Sequence, residues 1–155
     1  MSVSVQQEDF DIGSETVALS SGRRSVGAVA TFVGIVREAG EGESVSAMTL
    51  EHYPGMTEKA LEEIVVEANR RWSLEAVRVI HRFGRLEAGD RIVFVGVASP
   101  HRGQAFAACE FIMDYLKTRA PFWKREETPS GGRWVDARDT DDSAASRWDD
   151  IETRR

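Results

Sequence analysis

Two periods of hydrophobicity run through this chain. Residues 3–10 begin with Val3 and Val5 in alternation and predict a first strand, and residues 11–21 predict a short helix capped by Asp11 or Ser14. Residues 25–37 carry Val26, Val29, Thr31, Val33, Ile35 and Val36, apolar on both faces, which predicts a buried central strand. Residues 38–44 are rich in Gly and Glu and read as a mobile loop, after which residues 45–53 return as a strand that Pro54-Gly55 ends. Thr57 then reads as the cap of a helix whose apolar stripe is Ala60, Leu61, Ile64, Val65, Ala68 and Trp72. Residues 76–83 and 91–99 predict strands joined by a turn around Glu87-Ala88-Gly89-Asp90. A second helix is expected from about residue 100 to 119, a short strand over 122–127, and a further strand at Trp134-Val135 after Gly131-Gly132. The mixed order of strands and helices points to an α+β fold with a mostly antiparallel sheet.

The pattern weakens only at the end. Residues 136–155 hold seven acids against four bases, so a single domain over 1–138 is expected to end in an acidic C-terminal tail, 139–155, with Trp148 as its candidate anchor. The chain has 155 residues, enough for one well-formed core. Its net charge of −6 argues against bulk attraction to nucleic acid or to an anionic membrane, so any anion must be met by a local cluster of cations. No apolar run is long enough to span a bilayer, the first ten residues lack a signal-peptide pattern, and the single cysteine, Cys109, excludes an internal disulfide; together these predict a cytoplasmic protein.

Candidate chemistry concentrates in Leu116-Lys117-Thr118-Arg119-Ala120-Pro121-Phe122-Trp123-Lys124-Arg125-Glu126. Lys117 should close the second helix, Pro121 blocks its continuation, and Lys124 should lie on the strand that follows, sharing a face with Phe122 and Glu126. Two lysines brought together depress each other's pKa, a route to a reactive amine, whereas a solvated basic face is the plainer alternative. Ser99-Pro100-His101-Arg102 predicts a helix start with Ser99 as N-cap and two cations in the first turn, a conflict with the helix dipole that a bound anion would remove. Arg37 closes the apolar strand beside the Gly-rich loop, and Arg133 and Arg138 flank Trp134-Val135. His52, His81 and His101 lie far apart with no metal-ligand spacing, and Cys109, mid-helix, reads as a packed thiol. On these residues alone, a phosphate- or nucleotide-binding module, a scaffold for another protein and a metal-dependent hydrolase all stay open.

Longer runs narrow the choice. Phe32-Val33-Gly34-Ile35-Val36-Arg37, Leu50-Glu51-His52-Tyr53-Pro54-Gly55-Met56-Thr57-Glu58-Lys59-Ala60, His81-Arg82-Phe83-Gly84, Ser99-Pro100-His101-Arg102 and the lysine segment from Leu116 to Glu126 resemble, in this order, the catalytic (large) subunits of molybdopterin synthase, the MoaE family. The resemblance covers roughly residues 27–148. It implies an α/β-hammerhead type of α+β fold. It implies conversion of cyclic pyranopterin monophosphate to molybdopterin in molybdenum cofactor biosynthesis. Sulfur would come from the C-terminal thiocarboxylate of a small ubiquitin-like partner ending in Gly-Gly, and two large subunits would form a homodimer within a heterotetramer.

The same resemblance implies a site. Lys117 and Lys124 would be catalytic, with Lys117 the main acid/base or charge-stabilising group and Lys124 assisting it and holding the thiocarboxylate end. Ile35, Val36, Arg37, His101, Arg102, Arg125, Glu126 and Arg138 would join the two lysines in binding substrate, with Phe32 in the wall. Arg37, His101 and Arg102 would hold the phosphate and pterin edge, and Arg138 would reach in from the neighbouring subunit. No cofactor and no metal is implied, because the sulfur nucleophile arrives preformed on the partner.

Overall fold

The computed structural model describes residues 2–38, 44–135 and 139–149. Among these residues, eight strands form two four-stranded sheets. The first sheet has the order β1-β4-β6-β2, from β1 (Val3–Gln6), β4 (Ala76–Arg82), β6 (Arg91–Ser99) and β2 (Ala28–Ile35). The second has the order β5-β3-β7-β8, from β5 (Gly84–Glu87), β3 (Ala47–His52), β7 (Phe122–Thr128) and β8 (Gly131–Val135). All pairs are antiparallel except β1 with β4. Four helices, α1 (Ile12–Ser20), α2 (Met56–Arg71), α3 (Arg102–Arg119) and α4 (Asp139–Ser146), complete an α+β fold.

The centre of the first sheet is β6. Its Val93, Val95 and Val97 face the cluster that holds α2 and α3, while Phe94 and Ala98 face Phe10 and Leu19 on the α1 side. Strand alternation sorts one apolar run onto two covered faces. The expectation of a buried central strand over 25–37 is corrected: β2 is an edge strand, with Phe32 42 % and Ile35 54 % exposed. Only Ala30 along β2 is buried.

Other boundaries move for local reasons. Asp11 does cap α1, its carboxylate accepting from the Ser14 N–H at 2.7 Å. Helix α2 is capped at Gly55, whose φ of 85° suits a residue without Cβ, and Glu58 accepts from the Gly55 N–H at 3.0 Å. Thr57 therefore lies inside the first turn instead of capping it. Helix α3 starts at Arg102 with His101 as N-cap, two residues later than expected, because Ser99 is the buried last residue of β6 and its hydroxyl donates to the Ser73 carbonyl at 3.1 Å. Gly84, at φ 91°, turns the chain out of β4 into β5, so one expected strand-turn-strand unit feeds both sheets.

The stretch expected to be a loose tail carries helix α4 against α3. Trp148 is buried, edge-on to Trp72 at 5.7 Å and to Phe111 at 5.6 Å. Its indole N–H donates to the Asp114 carboxylate at 2.7 Å, and its carbonyl accepts from the buried Arg71 guanidinium at 2.8 Å. That guanidinium also lies 4.7 Å from the Phe111 ring centroid. Replacing such a side chain leaves a cavity and takes the indole donor away from Asp114. Trp148→Ala should lower unfolding free energy by about 3–5 kcal/mol, read by urea denaturation.

Candidate active site

The two lysines sit on either side of a sharp change of direction. Helix α3 ends at Arg119, Ala120 adopts extended geometry (φ −85°, ψ 130°), and the Phe122 N–H donates to the Ala120 carbonyl at 2.9 Å across Pro121. Pro121 cannot supply the amide that another helical turn would need, so the chain leaves the helix here and enters β7. Lys117 lies exposed on the last turn of α3. Lys124 lies half-buried on β7, paired in register with Leu50 of β3 and Val135 of β8.

Beneath the turn is a ring stack. Phe122 packs face to face on His81, with centroids 3.8 Å apart and planes at 21°. His52 lies 6.4 Å from Phe122 and 4.2 Å from Phe83. His81 is buried, and its Nδ1–H donates to the Arg82 carbonyl at 2.8 Å, which leaves Nε2 as an acceptor. Burial pushes the His81 pKa down to about 4, and the nearby charges of Lys117 and His52 push the same way, against the Arg82 hydrogen bond. His81 is therefore a neutral imidazole at pH 7, close enough to Lys117 to feel its charge.

Arg37 belongs to the same end of the molecule. Gly34 is paired with Val93, and Val93 with His81, so the end of β2 lies level with that histidine across the sheet. Val36 is buried in one cluster with Met48, Leu50 and Leu86 on the inner face of the second sheet, where Leu50 is the cross-strand partner of Lys124. Arg37 follows directly and is exposed; Ile35 is exposed as well. Phe32 lies farther back on β2, opposite Val95. Glu126 shares the face of Lys124, two residues on, and pairs with Met48.

Three expected members are not brought to this place. Arg125 points to the opposite face of β7, beside exposed Trp123 and Trp134, where its guanidinium lies flat on Gly132; a Cβ there would sit 2.5 Å from its Nη2. His101 and Arg102 are at the far end of α3. Sixteen residues of helix separate His101 from Lys117, about 24 Å at 1.5 Å per residue. The first sheet agrees, since Ser99 pairs with Ala28 at the start of β2 and Arg37 follows its end. Within one chain, Arg37 therefore lies at the opposite end from His101 and Arg102, and the chain presents two basic ends. Arg138 lies outside the described residues.

The helix start is built for close approach. The Gly27 N–H donates to the Ser99 carbonyl at 3.0 Å, and a Cβ on Gly27 would overlap the Pro100 carbonyl oxygen. His101 uses no side-chain atom to cap the helix, which leaves the first N–H groups of α3 beside two exposed basic side chains. Sequence reasoning misses His81 as part of the lysine end, although its place in the HRFG run next to a strand end is a signal that could have found it.

The MoaE protein family matches residues 5–119. The chain belongs to the MoaE family. The molybdopterin synthase catalytic subunit of Escherichia coli (strain K12) is 62 % identical over 144 residues, covering 93 % of this chain and 95 % of that one. The molybdopterin biosynthesis MoaE protein of Burkholderia ambifaria has a TM-score of 0.82 at 55 % identity, covering 97 % of this chain and 99 % of that one. A chain from the protein-protein complex of subunits 1 and 2 of the molybdopterin-converting factor of Helicobacter pylori shares the fold, with a TM-score of 0.72 at 18 % identity, covering 89 % of this chain and 92 % of that one. No helix among the described residues of this MoaE member is long and apolar enough to cross a membrane.

Two outcomes follow from the buried groups. His81 is depressed in the folded state, so its stabilising effect is full above its unfolded pKa of about 6.5 and is lost as pH falls towards about 4. Unfolding free energy should therefore drop by up to about 3 kcal/mol over that window, and His81→Phe should flatten the drop in chemical denaturation curves. Cys109 is buried, its thiol pushed up to about 11 by burial and by Glu110. Cys109→Ala should leave catalytic turnover within about twofold of wild type, and complete loss would show that the thiol takes part.

Proposed function

We propose that this MoaE member converts cyclic pyranopterin monophosphate to molybdopterin, taking sulfur from the C-terminal thiocarboxylate of a small ubiquitin-like partner that ends in Gly-Gly. The observation that carries the reading is the pair of lysines set on either side of Pro121, next to a neutral imidazole that stacks on Phe122. Both reactants are anions, and the chain is acidic overall, so a local set of cations must receive them. Lys117 stabilises charge or moves a proton at the attacked carbon, and Lys124 holds the thiocarboxylate end. The partner brings the sulfur nucleophile ready-made, so the site has only to orient it and manage protons. The reaction is assigned to the cytoplasm.

Arg37 joins the lysines from its own chain, together with Ile35, Val36 and Glu126. His101 and Arg102, about 24 Å away along α3, meet the same substrate when a second copy supplies them. This separation supports the homodimer within a heterotetramer, and Arg138 is assigned to the neighbouring copy with them. Arg125 acts indirectly, through the hairpin of β7 and β8 that it braces.

A single-turnover mixture of this protein, cyclic pyranopterin monophosphate and the thiocarboxylated partner should yield dithiolene and free carboxylate by mass spectrometry. Lys117→Ala should slow product formation by about 100-fold or more. Partner binding without product from the wild type would instead indicate a scaffold. The two-copy site has its own check. Lys117→Ala and Arg102→Ala should each be nearly inactive alone, yet regain about a quarter of wild-type activity when unfolded and refolded together, because a mixed dimer contains one intact site. No recovery would place both residues in one copy's site.

A further inference from the structure

Of the run from Glu51 to Glu58, only His52 has a part in the lysine end as described, although the residues after it lie against that end too. Thr57 explains the contact. Its side chain is fully buried, yet it is polar and sits in the first turn of α2, where a hydroxyl has no helical task. Its Oγ1 accepts from the Tyr53 N–H at 3.1 Å and donates to the Pro121 carbonyl at 3.1 Å. Its own N–H donates to the Tyr53 carbonyl at 2.9 Å. One residue therefore joins the end of β3, the start of α2 and the α3–β7 turn, across a sequence separation of 64 residues.

The Pro121 carbonyl lies just beyond the last paired position of the β3–β7 ladder, His52 with Phe122, so no strand neighbour is in register to receive it. Pro121 stands four residues after Lys117 and three before Lys124. Fixing its carbonyl fixes the plane of the Pro121–Phe122 peptide, from which β7 and Lys124 depart. The same plane sets Phe122 on His81, beside Lys117. A hydroxyl is the group that can accept from an amide and donate to a carbonyl at once.

We infer that Thr57 is a positioning residue for the two lysines, holding the Pro121 turn at the angle that aims Lys117 and Lys124 at one substrate. The inference rests on the sulfur-transfer reading for its consequence, but its geometry does not. Thr57→Val keeps shape and removes the hydroxyl; Thr57→Ser keeps the hydroxyl and removes the methyl.

In the single-turnover assay, Thr57→Val should lose about 10- to 100-fold in rate at saturating substrate, as expected for small misplacement of reacting groups. Half-saturation and partner affinity should stay within about threefold, and Thr57→Ser should recover to within about threefold of wild type. In hydrogen exchange, the Phe122 and Lys124 amides of folded Thr57→Val should exchange at least about tenfold faster than in wild type or Thr57→Ser, while β6 amides stay unchanged. Full activity in Thr57→Val, or equal loss in Thr57→Ser and Thr57→Val, would overturn the inference. Should Thr57→Val not fold, Thr57→Cys, which has the shape of serine but bonds more weakly, should fall at least about threefold below Thr57→Ser in rate; a rate equal to Thr57→Ser or wild type would overturn it. If the wild type itself makes no product, the sulfur-transfer reading fails, and the exchange data still decide whether Thr57 holds the turn.

Discussion

Helix α3 lies along β6 and β2 as a rigid spacer, and the rest of the molecule takes its positions from that packing. Ala105, Ala108, Phe111, Ile112, Tyr115 and Leu116 bury one side of it without a gap. A packed helix of eighteen residues cannot shorten or bend to bring its ends together. Its first residue therefore delivers cations to one edge of the fold, and its last turn delivers a lysine to the other. At the lysine end the second sheet packs on Val36 through Met48, Leu50 and Leu86.

Rigidity at the lysine end comes from unlike contacts acting on adjacent residues. Pro121 denies the helix its next hydrogen bond, Thr57 fixes the Pro121 carbonyl, and His81 stacks on Phe122. Each is weak on its own scale, about 1 kcal/mol for a hydrogen bond or an aromatic pair. Acting on neighbouring backbone units, they leave the segment no alternative direction. The neutral state of His81 belongs to the same arrangement, since a charged imidazole would repel the nearby Lys117 ammonium.

Much of this is legible in the amino-acid sequence itself. The helix stop at Ala120-Pro121, the cap at Asp11 and the apolar stripe of α2 follow from local chemistry, and the fold contains all three. What local chemistry cannot tell is which strand lies between which. Residues 25–37 and 91–99 are both apolar runs, but β6 has partners on both sides and β2 on one, and only the pairing decides burial. Thr57 misleads for a related reason. Threonine near a helix start usually caps it, whereas here Gly55 does so and the hydroxyl is left to serve residues far away in sequence. The acidic composition of the last twenty residues likewise hides helix α4; Trp148 stands out there as an anchor, but its distant partners Arg71 and Asp114 do not. The distance between His101 and Lys117 is legible in the length of α3, but the basic residues at both of its ends obscure it.

Cys109 is the chain's one cysteine, and its side chain is sealed between α3 and β6 with its sulfur 3.8 Å from the Val95 carbonyl oxygen. A thiol that stays protonated and covered at neutral pH is a poor target for alkylating reagents. In a mixture treated with iodoacetamide or a maleimide, this subunit stays silent. Label that appears on sulfur under native conditions reports the other components alone, and label on this chain becomes a direct signal that its core has opened.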